Sequence, residues 1–387
     1  MNDANPVAAI LGIGTAVPDY RLDQADTAQR LTHALRDHPD SARWAKRIFK
    51  QCGVETRYTC EPNLLESAEN CRYFSQESNQ PVPTTADRMA TYKREAVPLG
   101  LKAARRALRD GQVDLSEITH LITVSCTGQF LPGMDAVLTQ QLGLQAAVNR
   151  IPLNFLGCAA GLKAVCLSRQ IVASSPSAKV LVVCVELCTL HIQPSSRREA
   201  LFGASFFGDG ASACVIGSAG TGHQSRCRSI FQLGNVHSVL LPDSAEEMVW
   251  EVGNYGFDLY LSTNIPKLIG QFIPEQMERL IDGGPKPQLW AIHPGGKGII
   301  DTLEDMYELT EDQTRPSRTV LRNFGNMSSA TLLFVLHEMR RELESRSHGP
   351  TTGVALAFGP GLTFEMIRIG YLPSAMGQVQ PADEVHV

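Results

Sequence analysis

The stretch NFLGCAAGLKAVCLSRQIVASSPSAKVLVVC, Asn154 to Cys184, sets out a glycine, a cysteine, a helix-forming run, a polar loop and an apolar run of strand length. A second stretch, NFGNMSSATLLFVLHEMRRELESRSHGPTTGVALAF, Asn323 to Phe358, follows the same order, with Asn326 in the place of Cys158. Upstream of each lies a strand-like run carrying residues capable of chemistry: HLITVSCTG from His120 and LWAIHPGG from Leu289. Two copies of one α/β unit would bring two related helix N-termini to a common site. Alternating β and α patterns in both halves predict mixed sheets covered by helices. One half is expected to span 1–227 and the other 228–387, with the join near Arg226–Phe231.

Composition narrows the class. With 387 residues, 43% of them hydrophobic and 19% charged, the chain is that of an ordered globular protein. A net charge of -5 argues against a nucleic-acid binder. The opening MNDANPVAAILGIGTAVP has neither the basic start nor the apolar length of a signal peptide, and no apolar run approaches a membrane span. Ten cysteines follow no paired spacing, and Cys184 and Cys188 sit in an apolar run unlike a zinc knuckle. Reduced thiols in a cytoplasmic protein are expected, with no metal and no cofactor. Gly12 and Gly14 form a GxG, but Val17 occupies the third glycine position of a dinucleotide loop. The polar, proline-containing run from Thr56 to Ala86 reads as a surface excursion.

Cys158 lies among Gly157, Ala159 and Ala160, too small to cover it, directly ahead of a helix. Unpaired N–H groups and partial positive charge there favour a thiolate. Such a cysteine needs a partner, normally histidine. Six of the ten histidines (His33, His38, His223, His337, His348 and His386) stand in polar or helix-surface contexts. His293 instead ends an apolar run and precedes PGGKG, where backbone and ligand can approach closely. It is either a partner of the cysteine or a satisfied histidine at a strand end. GGKG is not a phosphate loop, because Gly298 follows Lys297. Asn326 can be a plain helix cap. As the duplicate of Cys158 it would point an uncharged amide donor at a developing oxyanion.

The order Cys158, His293, Asn326, at intervals of 135 and 33 residues, resembles the thiolase-fold condensing enzymes. HPGG (His293–Gly296), GNMSSAT (Gly325–Thr331) and FGPGLT (Phe358–Thr363) resemble the chalcone-synthase-like type III polyketide synthases within them. LPGMD (Leu131–Asp135), FFGDGASA (Phe206–Ala213) and RMATY (Arg88–Tyr92) add to the likeness, which covers residues 8 to 370. It implies a homodimeric αβαβα sandwich of two duplicated halves. Cys158 would carry an acyl group from an acyl-CoA starter, and malonyl-CoA would decarboxylate to an enolate stabilised by His293 and Asn326. Gly295, Gly296 and Ser328, within these motifs, are implied substrate contacts. Phe207 matches a phenylalanine between the CoA tunnel and the cavity, and Leu131 a residue reaching into the partner's cavity.

Departures from the family pattern also carry information. Arg47 and Lys50 match cations that hold CoA phosphates, but a third basic position, near Gly53–Val54, is missing. Cys126, Cys188, His191, Trp250 and Leu259 stand where plant members carry mostly small or hydroxylated residues and a phenylalanine. This turns the expected product away from a chalcone and towards an alkylpyrone, alkylresorcinol or related small aromatic. Two alternatives stay open: a single-condensation enzyme like ketoacyl-carrier-protein synthase III, and a non-catalytic acyl-CoA-binding homologue.

Overall fold

The computed structural model describes residues 7–74, 80–219 and 230–373. The strand β1 (Ala8–Ala16) is followed by a short ribbon of β2 (Tyr20–Asp23) and β3 (Thr56–Thr59). The helices α1 (Gln24–Ala34) and α2 (Pro39–Gln51) lie between the two strands of the ribbon. The first half continues with α3 (Thr85–Gly111), β4 (His120–Ser125), α4 (Met134–Leu142), β5 (Asn149–Asn154) and α5 (Ala160–Ser174). It closes with β6 (Val180–Leu187), α6 (Arg198–Phe206) and β7 (Asp209–Ser218). The second half runs β8 (Phe231–Leu240), the hairpin β9 (Met248–Gly253) and β10 (Gly256–Leu261), α7 (Ile265–Ile281) and β11 (Leu289–Ile292). It ends with α8 (Lys297–Tyr307), α9 (Glu311–Phe324), α10 (Thr331–Ser345), β12 (Thr351–Gly359) and β13 (Thr363–Tyr371).

Nine of these strands lie in the order β11-β12-β13-β8-β1-β7-β6-β4-β5. The duplication is visible in that order. From the centre outward one side reads β1, β7, β6, β4 and the other β8, β13, β12, β11, while β5 has no counterpart. Directions repeat too: β4 with β6 and β11 with β12 are parallel, and the pairs nearer the centre are antiparallel. Among the described residues, β1 and β8 pair across the halves at Ala9 with Gln232 and Ile10 with Phe231. The expected join at Arg226–Phe231 lies mostly in 220–229, outside the described residues.

Burial builds the layers. Every residue of β6 is buried, as a β-branched run covered on both faces requires. Val180, Val182 and Cys184 face a core shared with α5, α10 and the second-half sheet, whereas Leu181, Val183 and Val185 face α3 and α4. On the far side, α7 and α8 cover β11 to β13. The sequence of layers is α3/α4, sheet, α5/α10, sheet, α7/α8, the thiolase-like αβαβα sandwich.

Two readings of the sequence are resolved by this packing. A Cβ on Gly12 or Gly14 would stand 2.3 Å from the carbonyl of Ala107 or Ala103, so the GxG lets α3 lie directly on β1. The run from Thr56 to Ala86, of which 75–79 lie outside the described residues, is not a plain surface excursion. Arg57 and Thr59 are buried on β3, and Cys71, Tyr73 and Phe74 join a core with α1, α2 and α6. Its polar residues conceal the aromatic and thiol anchors spaced between them.

In the central layer a Cβ on Gly161, in the first turn of α5, would meet the carbonyl oxygen of Ser329 at 2.1 Å. Gly161→Ala should therefore force the two helix starts apart. Overpacking of this kind costs about 1–3 kcal/mol, read as a lower denaturation midpoint at unchanged slope. An unchanged midpoint would mean that the helix starts separate freely.

Candidate active site

Cys158 and Asn326 both precede central-layer helices. Cys158 occupies the 3-10 turn Gly157–Ala159 that runs into α5, and the turn Ser328–Ala330 runs into α10. The matching left-handed residues are Gly157 (φ 66°) and Ser328 (φ 46°). They align Cys158 with Ser329, and Asn326 lies three residues earlier than the repeat in the sequence suggested. Asn-Phe-Leu-Gly in the first stretch and Asn-Phe-Gly in the second do not share a register, because the helix starts carry the repeat. Asn326 reaches the site from the loop instead.

A cavity of about 750 Å³ lies over both helix ends and is lined by Cys158, His293 and Asn326. Cys158 is half-buried and Asn326 almost wholly buried. The Asn326 Oδ1 accepts the Ser328 N–H at 2.8 Å and the Thr331 hydroxyl at 3.3 Å. With that oxygen engaged, Nδ2 faces the Cys158 Sγ at 4.0 Å and the Gly295 carbonyl at 3.4 Å. One amide thus caps a turn with its oxygen and presents a donor to the cavity. Helix cap and site residue were not alternatives.

His293 extends β11, donating its N–H to the Leu356 carbonyl at 2.8 Å. The side chain is fully buried, and neither ring nitrogen has a protein partner. It is therefore not a satisfied strand-end histidine. A Cβ on Gly295 would stand 3.6 Å from Nε2, so glycine keeps that ring edge uncovered. Burial draws the imidazole down to about 3 and pushes the Cys158 thiol up to about 11, against hydrogen bonds from Ser328 and Asn326. Desolvation outweighs the helix N-terminus here, contrary to the thiolate expected from position alone. Both groups rest neutral, and a neutral imidazole can accept the proton of the thiol.

The other expected residues divide between the cavity and its surroundings. Phe207, Cys126, Trp250, Leu259, Ser328, Gly295 and Gly296 line the cavity. Trp250 and Leu259 are cross-strand partners on the β9–β10 hairpin, and the Trp250 ring meets Phe207 edge-on at 6.1 Å. Cys188 and His191 are corrections, since both are buried behind the wall and outside the lining. His191 is held by the Thr127 carbonyl at 2.7 Å and the Phe257 N–H at 3.0 Å, with its ring stacked on Phe257. The turn after β6 curls these residues inward, which strand alternation could not anticipate. Leu131 is 92% exposed and is not among the residues lining this cavity. Arg47 and Lys50 are exposed on α2, which lines the mouth through Trp44, Ile48 and Gln51 instead.

Three residues escaped the sequence reading. Arg198 and Lys297 line the mouth, and Lys297 pairs with Asp301 at 2.7 Å. Glu186 is fully buried below the cavity floor and accepts hydrogen bonds from Thr127 Oγ1 (2.6 Å), the Cys126 N–H (3.1 Å) and the Ser329 hydroxyl. Its burial pushes the carboxyl above the usual range. The available signal was a single carboxylate within the apolar run AKVLVVCVEL.

Comparison with known proteins gives this geometry its context. Residues 2–220 match the N-terminal domain of chalcone and stilbene synthases, and residues 232–373 match their C-terminal domain. An "Alpha-pyrone synthesis polyketide synthase-like Pks18" of Mycobacterium tuberculosis is 33% identical over 368 residues, covering 93% of this chain and 90% of that protein. "Probable polyketide synthase 1" of Dictyostelium discoideum is 30% identical over 377 residues, 94% of this chain, which spans 11% of that much longer protein. The crystal structure of the C-terminal type III polyketide synthase domain of Steely1, a type I/III hybrid from Dictyostelium, superposes with a TM-score of 0.85 at 29% identity. It covers 95% of this chain and 100% of that one. Two helix N-termini converging on one cavity and matches to both family domains lead to one conclusion: the chain belongs to the chalcone and stilbene synthases, type III polyketide synthases of thiolase fold.

Proposed function

We propose that the protein extends an acyl-CoA starter with malonyl-CoA at Cys158 and releases a cyclised alkylpyrone, alkylresorcinol or related small aromatic. The observation that carries this reading is the Asn326 amide, turned by its own hydrogen bonds towards Cys158 in a cavity shared with an unpartnered His293. His293 accepts the thiol proton as the sulfur attacks the starter thioester, and CoA departs as its thiol. Malonyl-CoA next loses CO2, and its enolate oxygen receives hydrogen bonds from Asn326 Nδ2 and the His293 N–H. The enolate carbon attacks the acyl-cysteine carbonyl and frees the sulfur for another round. Decarboxylation generates the nucleophile, so the site needs oxyanion donors and dryness rather than a strong base.

The CoA phosphates would lie at the mouth. Arg47 and Lys50 stand on α2 outside the lining, whereas Lys297 lines the mouth, its stem 3.6 Å from the point where a Gly53 side chain would begin. A cation from the second half thus stands where the first half lacks one. A homodimer is supported by the edge position of β5, by the exposed Phe155 and Leu156 that follow it, and by the exposed Leu131 between β4 and α4. Free thiols at the nine described cysteines fit a reducing, cytoplasmic setting, and no helix among the described residues is long and apolar enough to cross a membrane. We divide the chain at 227/228, with the nucleophile in the first half and His293 and Asn326 in the second.

Three outcomes follow from these roles. Removing the proton acceptor in His293→Ala leaves Cys158 to ionise unaided, against the burial that pushes its thiol up. Iodoacetamide should then alkylate Cys158 at a rate rising about tenfold per pH unit until the thiol is ionised. The unsubstituted protein should react faster at pH 7, and equal rates would remove His293 from the proton transfer.

Asn326→Asp places an anion beside the developing enolate. Losing such a donor costs about 10²–10³ in rate, so malonyl-CoA decarboxylation should fall by at least that much, and further than in Asn326→Ala. Unaltered decarboxylation in both variants would reduce Asn326 to a cap.

Trp250 takes up room in the cavity wall. Incubation with malonyl-CoA and a panel of acyl-CoA starters, with products read by mass spectrometry, should show multiply extended products and faster turnover of aliphatic starters than of p-coumaroyl-CoA. Trp250→Gly should shift products towards longer chains. Single-condensation products from carrier-protein thioesters alone would favour the ketoacyl synthase reading.

A further inference from the structure

Arg57 has no exposed surface, and among the described residues it forms no ion pair with a carboxylate. Burying a cation so is costly, which makes its contacts informative. Its Nη1 donates to the carbonyls of Ala204 and Phe207, each at 2.7 Å, at the negative end of the α6 dipole. Nε and Nη2 find no protein partner. Burial lowers the guanidinium to about 10, so it stays charged at neutral pH.

The stem of Arg57 passes between two glycines. A Cβ on Gly325 would lie 3.2 Å from its Cγ and Cδ, and one on Gly208 would lie 3.4 Å from its Cβ. These glycines flank a backbone bridge that ties Asn326 to the first half. There Asn326 N–H donates to the Phe206 carbonyl at 2.8 Å, and Gly208 N–H donates to the Asn326 carbonyl at 3.0 Å. The residues before Arg57 grip the same loop. Glu55 N–H donates to the Arg322 carbonyl, and Thr56 Oγ1 to the Asn323 carbonyl, each at 2.8 Å. Three consecutive residues thus hold 322–326 on one side and the end of α6 on the other.

We propose that Thr56 and Arg57 are positioning residues for the catalytic amide, fixing the Phe207–Asn326 bridge and through it the distance from Asn326 Nδ2 to Cys158. The inference rests on the role given to Asn326 above. Arg57 touches no substrate: its effect passes through the backbone of Phe207 and Asn326, where displacements near 1 Å cost catalysis heavily.

The test is a double-mutant cycle on malonyl-CoA decarboxylation by the full chain. Arg57→Lys keeps the charge, but its shorter side chain cannot carry the ammonium to the position from which Nη1 holds both carbonyls. We expect kcat to fall about tenfold with KM little changed. In an Asn326→Ala background the same substitution should cost less than about twofold, because the group it positions is gone. A full tenfold loss in that background, or no loss in the parent, overturns the inference. Asn326→Ala without effect would instead overturn the role of Asn326, a separate result. Should Arg57→Lys fail to fold, Thr56→Val removes only the bond to the Asn323 carbonyl. It should show the same non-additivity, and additive or absent effects there overturn the proposal equally.

Discussion

The contact between the first turn of α5 and the carbonyl of Ser329, possible only because residue 161 is glycine, governs the rest of the molecule. It brings two helix N-termini from different halves within reach of one another in the central layer. Each sheet must then be apolar on both faces, which is why β6 and β12 are buried almost throughout. With the layers so stacked, the ends of β4, β6, β11 and β12 open on the same side, and the cavity occupies the space above the helix starts.

Chemistry in this space is set by dryness. Desolvation holds the thiol and the imidazole neutral, and the principal hydrogen-bond donor is an amide without charge. Glu186, close beneath the floor, is pushed up by burial, and its oxygens are taken up by Thr127, Ser329 and the Cys126 N–H. In such surroundings short-range donors count for more than net charge. Charge is found instead at the mouth, where Arg198 and Lys297 meet water.

The walls divide the labour differently. Backbone bridges and buried side chains fix the reacting groups, while the β9–β10 hairpin, outside the main sheet, supplies Trp250 and Leu259 to the cavity. A hairpin that bears no ladder of the main sheet can change its side chains without disturbing the central layer. Volume, and with it chain length, can therefore vary independently of the reacting residues.

Much was legible in the residue string because it is local. The order glycine, reactive residue, helix, strand identified a duplicated α/β fold, and small neighbours marked Cys158 as reachable. A histidine at the end of an apolar run before two glycines marked His293, and the combined motifs carried the family. Contacts between distant segments were not legible. Tertiary structure alone showed that Ser329, not Asn326, is the counterpart of Cys158, since register follows helix starts. It alone turned His191 and Cys188 behind the wall and drew Arg57 from a polar, unpromising stretch into the frame of the site. Desolvation is likewise a property of the whole fold: a helix N-terminus promised a thiolate at Cys158, and the layers closing around it decided for the thiol.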